Sequence, residues 1–155
     1  MKRSWKTFLI AIAIPLAVGG LSTLLSGGMR DFFVLNQPPL SPPGWVFPIV
    51  WSILYVMMGY ASYRVYTADA PADQIRRALI LYGVQLFLNF LWPIFFFGFH
   101  WYLAAFILLL GLWGFVFWTM VTFSAIDKTA GYLLVPYLIW LSFAAYLNLG
   151  IVFLN

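Results

Sequence analysis

At 155 residues the chain has the size of one domain, taken as residues 1–155. Its composition is 65% hydrophobic, 21% aromatic and 8% charged, against about 25% charged in a soluble domain whose surface must be wetted. That excludes a water-soluble globule and makes lipid the natural solvent. The net charge of +4 is spread over the ends of apolar runs, so there is no basic stripe and nucleic acid is not expected as a partner. Cysteine is absent, which rules out disulfides, thiolate metal sites and a cysteine nucleophile. One histidine, His100, and four acids, Asp31, Asp69, Asp73 and Asp127, predict no metal site.

Five apolar segments follow in chain order, each near the ~20 residues that cross about 30 Å of hydrocarbon. They run over residues 5–25, 44–66, 75–98, 101–125 and 131–154. An alternating strand pattern is missing, so the expectation is an all-α, polytopic bundle of five transmembrane helices. The first segment carries Lys2, Arg3 and Lys6 before it and Ala11-Ile12-Ala13 within it, as a signal peptide would. Its apolar run continues past that point, which predicts a retained helix.

The first connection is the longest and holds Pro38, Pro39, Pro42 and Pro43. Proline stiffens the chain and removes backbone donors. A lid over the bundle and a plain spacer are both open readings, with Arg30, Pro42, Pro43 and Trp45 as the lid candidates. Ser41 is expected to cap the second helix, with Pro42 in its first turn. Five crossings put Lys2, Arg3, Lys6, Arg64, Arg76, Arg77 and Lys128 on one side and Arg30 alone on the other. The positive-inside rule then predicts a cytoplasmic N-terminus and a C-terminus outside.

Polar groups are costly in hydrocarbon and turn towards protein or a cavity. Tyr82, Gln85, Asn89, Trp92 and Phe96 share one face of the third helix. Phe47, Trp51, Tyr55, Met58 and Ser62 do so on the second, and Tyr137, Trp140, Ala144 and Asn148 on the last. Each stripe alone reads as packing or as a cavity wall, and an Asn89–Asn148 hydrogen bond would serve as interhelical glue. Together, with Ala144 leaving space between large rings, they outline a flat aromatic cavity. Trp5, Trp45 and Trp101 sit where interface anchors belong. Ala13 and Ala17, Ser22 and Ser26, and Gly111 and Gly114 offer small-residue contacts for helix association. His100 reads as a turn residue. No motif activates a serine, so hydrolysis has no visible apparatus.

Three blocks carry a resemblance. They are P-P-L-S-P-P-G-W-V-F-P-I-V-W from Pro38 to Trp51, L-Y-G-V-Q-L-F-L-N-F-L-W-P-I-F-F-F-G from Leu81 to Gly98, and P-Y-L-I-W-L-S-F-A-A-Y-L-N from Pro136 to Asn148. In this order they resemble the TspO/translocator family, also called tryptophan-rich sensory proteins and peripheral-type benzodiazepine receptors. The resemblance implies a five-helix bundle, often a homodimer, with a ligand cavity under the first loop. It implies a receptor for porphyrins such as protoporphyrin IX or a haem-like ligand, without an obligatory cofactor, and for sterol-like or benzodiazepine-type ligands in mitochondrial relatives. It links the family to tetrapyrrole transport, sensing or light-dependent breakdown. Trp51 and Trp140 match the tryptophans tied to porphyrin handling, and so become candidates for that photochemistry. Asn89, Trp92 and Ala144 match cavity positions, and Phe90 stands where some relatives have tryptophan. The expected ligand-binding set is thus Trp51, Tyr55, Gln85, Asn89, Phe90, Trp92, Phe96, Trp140, Ala144 and Asn148. The C-terminal sterol motif lacks its basic residue here, which points to a prokaryotic-type member in a bacterial inner membrane.

Overall fold

The computed structural model describes residues 4–27 and 35–155, and among these there is no strand. The helices are α1 (Trp5–Ser26), α2 (Val46–Tyr66), α3 (Ala72–Pro93), α4 (Tyr102–Ile126), α5 (Lys128–Leu133) and α6 (Val135–Leu154). A π-helical turn, Ile94–Gly98, continues α3. Five stretches are long and apolar enough to cross a bilayer, with Lys128–Leu154 forming the fifth. The expected all-α membrane bundle is thereby found. Its polarity is inverted relative to a soluble protein. Leu24, Ile107, Phe117 and Ile139 face outward, while Gln85, Asn89 and Asn148 are 1–2% exposed. Lipid gives the backbone no partners, so each crossing must be helical and the side-chain amides must pair inside.

The helices form a ring. α2 packs on α1, α1 on α3, α3 on α4, α4 on α6, and α5 closes against α2. Ser4 starts α1 by accepting from the Thr7 N–H at 3.1 Å, and Gly27 ends it at φ 81°, a left-handed position suited to glycine. The backbones of α1 and α2 approach closely at Gly59. A Cβ there would stand 2.6 Å from the Ala11 carbonyl oxygen and 2.9 Å from Ile12 Cα.

Two local expectations are corrected. Ser41 does not cap α2. Its hydroxyl donates to the Pro38 carbonyl at 2.7 Å, and α2 begins only at Val46 after a turn in which the Val46 N–H reaches the Pro43 carbonyl. Pro42 and Pro43 therefore shape a turn instead of a first helical turn. The last span is also longer than predicted and broken at Leu134. Pro136 has no N–H to donate back to Tyr132, so α5 stops and α6 restarts.

The ends of the bundle are tied differently. At one end Arg64 Nε donates to Asp127 Oδ2 at 2.8 Å and Nη1 to the Tyr60 hydroxyl at 3.1 Å. Asp127 Oδ1 also caps α5 by accepting from the Thr129 N–H at 3.0 Å. At the other end, residues 36–39 lie along α6. Pro38 is buried against Gly150, the Tyr146 hydroxyl donates to the Pro39 carbonyl at 2.6 Å, and Asn36 exchanges hydrogen bonds with Asn155. His100 closes the α3–α4 turn at φ 60° and is exposed, its ring edge-on to Tyr102.

Candidate functional site

Inside the ring, towards the end bearing the proline-rich connection, is a cavity of about 260 Å³. α1 contributes Gly19, Thr23 and Ser26, and α2 contributes Phe47, Pro48, Trp51 and Tyr55. Asn89, Trp92, Pro93, Phe96 and Phe97 come from α3 and its π-helical turn, Leu109 and Leu112 from α4, and Trp140, Ala144, Leu147 and Asn148 from α6. Helical spacing explains the convergence. Residues three and four apart share a face, and the ring turns those faces inward.

The walls are aromatic. Trp51 stacks on Tyr55 with ring centroids 5.5 Å apart and meets Trp140 edge-on at 6.4 Å. Phe47 lies against Trp140, and Trp92 stacks on Phe96 at 5.0 Å. Ala144, buried between these rings, leaves the gap that a larger side chain would fill.

A chain of hydrogen bonds underlies the walls. The Tyr55 hydroxyl donates to Asn89 Oδ1 at 2.7 Å, and Asn89 Nδ2 donates to the Tyr137 hydroxyl at 2.7 Å. Tyr137 in turn donates to Gln85 Oε1 at 2.7 Å, and the Gln85 amide points at the Met58 sulfur. A second pair fixes the α6 wall, where Trp92 Nε1 donates to Asn148 Oδ1 at 3.0 Å and Asn148 Nδ2 to the Tyr102 carbonyl at 2.9 Å. The predicted Asn89–Asn148 bond is not made, because tyrosine and tryptophan partners reach both amides first. Trp140 Nε1, on a cavity-lining residue, is buried without a protein acceptor. An unmet buried N–H costs about 1–3 kcal/mol, which an acceptor on a bound molecule would recover.

Of the expected ligand-binding set, Trp51, Tyr55, Asn89, Trp92, Phe96, Trp140, Ala144 and Asn148 lie together on the cavity. Gln85 sits in the hydrogen-bonded layer behind Tyr137 instead of on the wall. Phe90 is on another face of α3, where its carbonyl accepts from the Ser22 hydroxyl at 2.8 Å. Of the lid candidates, Pro42, Pro43 and Trp45 stand off the cavity wall, Trp45 being 67% exposed. Arg30 lies outside the described residues. The α1 wall escaped prediction, although Pro15, Gly19, Ser22 and Ser26 recur at steps of four, three and four and are the buried face of that helix. Gly19 is required there, since a Cβ would enter the Tyr55 ring.

The chain as a whole is similar to known proteins. The TspO/MBR family model matches residues 11–154. A tryptophan-rich protein TspO of Chlorobaculum tepidum is 37% identical over 100% of this chain and 99% of its own length. A tryptophan-rich sensory protein of Cereibacter sphaeroides is 40% identical over 96% and 89%, and a translocator protein of Ovis aries 37% over 87% and 82%. With that match and the five apolar spans, the chain belongs to the TspO/MBR family of integral membrane proteins.

Proposed function

We propose that the chain is a membrane receptor for tetrapyrroles of the protoporphyrin IX or haem-like type, with sterol-like and benzodiazepine-type molecules as further apolar ligands. The observation that carries this reading is the convergence of Trp51, Trp92 and Trp140 on one cavity with the Ala144 gap between them. Flat, polarisable walls suit a flat macrocycle, and the buried Trp140 Nε1 offers a donor to a bound molecule. The cavity of about 260 Å³ lies below the ~300–1,000 Å³ usual for small-molecule sites, so a macrocycle enters edge-first and leaves its acidic substituents at the loop end. Arg30 is the cation that the sequence places on that side and would meet them. The same proposal puts the N-terminus in the cytoplasm and the C-terminus outside, in a bacterial inner membrane, and makes the assembly a homodimer.

Quenching of tryptophan fluorescence by protoporphyrin IX, titrated into the detergent-purified protein, tests the site. Saturable quenching that Ala144→Phe abolishes is expected. Quenching that never saturates and is equal in all variants would mean partition into the micelle, leaving a transporter or a structural subunit. Arg30→Ala is expected to weaken protoporphyrin more than an uncharged apolar ligand. The contact between the Trp51 and Trp140 rings favours a second reading, light-dependent breakdown of the bound macrocycle. Illuminated bleaching that Trp51→Phe and Trp140→Phe both slow would support it, and bleaching at the same rate without protein would end it.

A further inference from the structure

A second concavity lies on the outside of the bundle, at the opposite end from the cavity. It is a groove of about 670 Å³ between the start of α3 and the end of α4. Its lining is graded. Pro71, Asp73, Gln74 and Arg77 occupy the outer level, and Ile80, Leu81 and Trp118 the inner one. Arg77 and Leu81 are four residues apart, so the change from charged to apolar happens within about 6 Å along the helix axis. Trp118 is 56% exposed and Ile80 58%, on a surface that faces hydrocarbon.

The charges in the groove are unequal. The Asp73 carboxylate lies 3.7 Å from Arg76 in a largely exposed pair, and Arg76 does not line the groove. Arg64, at the same end, is held by Asp127. Among the described residues Arg77 makes no ion pair. The Thr122 hydroxyl donates its proton to the Trp118 carbonyl at 2.9 Å, so the Arg77 guanidinium and the Gln74 amide are the donors at the outer level. A cation above a tryptophan-lined apolar cleft, at the level where a spanning helix leaves the membrane, matches the phosphate and upper acyl chain of an anionic amphiphile.

We propose that this groove binds the headgroup of an anionic phospholipid, with the phosphate on Arg77 and Gln74 and an acyl chain laid between Ile80 and Trp118. Charge complementarity selects this occupant over a zwitterionic lipid, whose own ammonium competes with Arg77. The site is separate from the cavity, so it stands or falls without the tetrapyrrole reading.

Native mass spectrometry of the detergent-released full chain, with dioleoylphosphatidylglycerol and dioleoylphosphatidylcholine added in turn, tests it. The expected result is preferential retention of phosphatidylglycerol, weakened about fivefold by Arg77→Gln and unchanged by Lys128→Gln, which alters an exposed cation of the same end that does not line the groove. Trp118→Ala, which leaves the charge in place, is expected to weaken retention as well. Equal retention of both lipids, or equal loss in the Arg77→Gln and Lys128→Gln variants, would overturn the site in favour of diffuse charge. Inorganic phosphate that is retained as tightly as phosphatidylglycerol, with the same loss in Arg77→Gln and no loss in Trp118→Ala, would overturn the lipid as occupant, because the acyl chain would then contribute nothing.

Discussion

Asn89 accepts from one tyrosine and donates to another, and it is 2% exposed. Asn89→Leu strands the Tyr55 hydroxyl and removes one partner of Tyr137. A cost of about 1–2 kcal/mol is expected, since buried hydrogen bonds within membranes contribute modestly. Tyr55→Phe leaves only Asn89 Oδ1 unmet and should cost less. The double variant should cost less than the sum of the two, because both changes break the same bond. Equilibrium unfolding in mixed detergent micelles, following far-ultraviolet ellipticity, measures all three. Full additivity would mean that the hydroxyl and the amide do not interact. At this scale the residue types were legible in sequence, since amides inside apolar segments must pair. Their partners were not, because Tyr55 and Tyr137 reach Asn89 from 34 and 48 positions away along the chain.

Elements meet where side chains are missing or charges are shared. The α1–α2 crossing depends on Gly59, where an added Cβ would meet the α1 backbone. Backbone cannot give way as a flexible side chain can, so Gly59→Val should destabilise by about 1–3 kcal/mol. A lowered thermal midpoint in detergent is the readout, and an unchanged midpoint would show that the two helices separate freely. Asp127 joins α2 to the start of α5 and caps α5 as well. Asp127→Asn keeps a good cap and loses the ion pair, at a cost of about 1 kcal/mol, because the pair is partly exposed. Asp127→Ala loses both and should cost about 1 kcal/mol more. Identical midpoints for the two variants would leave the cap without effect. The break at Leu134 shows how a local signal can be read at the wrong scale. Residues 126–130 looked like a connection, yet Lys128–Leu133 is a helical piece of the same span, and Pro136, inside the expected run of 131–154, is where that span breaks.

At the scale of the whole molecule, the five spans among the described residues put the two ends of the bundle on opposite sides of a membrane. Cysteine is absent, which gives a clean background for labelling. Leu40 and Asp69 flank α2 and are both exposed. Leu40→Cys is expected to react with an impermeant maleimide in intact cells, and Asp69→Cys only after the membrane is opened. The reverse pattern would invert the proposed orientation. The homodimer is checked by the mass of the purified protein after subtraction of bound detergent. A Cβ added at Gly111 or Gly114 would touch no other part of the chain, and both glycines face outward on α4, whereas Ser22 and Ser26 are buried inside the bundle. A monomer mass would remove the dimer.

Composition and the lengths of the apolar runs by themselves determined the solvent, the helical class and the number of crossings. Each follows from the cost of unpaired backbone in hydrocarbon, which is met locally along the chain. Spacing within each helix also determined which residues share a face, so most of the cavity wall could be named one helix at a time. Tertiary structure alone decided which faces meet. It placed Gly19 against Tyr55, moved Gln85 behind the wall, turned Phe90 away and paired Asn148 with Trp92. It also opened the groove at Arg77, because a cleft lined by two helices is a property of neither helix alone. The physical reason is the same in each case. Periodicity orients a side chain about its own axis, whereas its partner is set by the packing of helices that are distant in sequence.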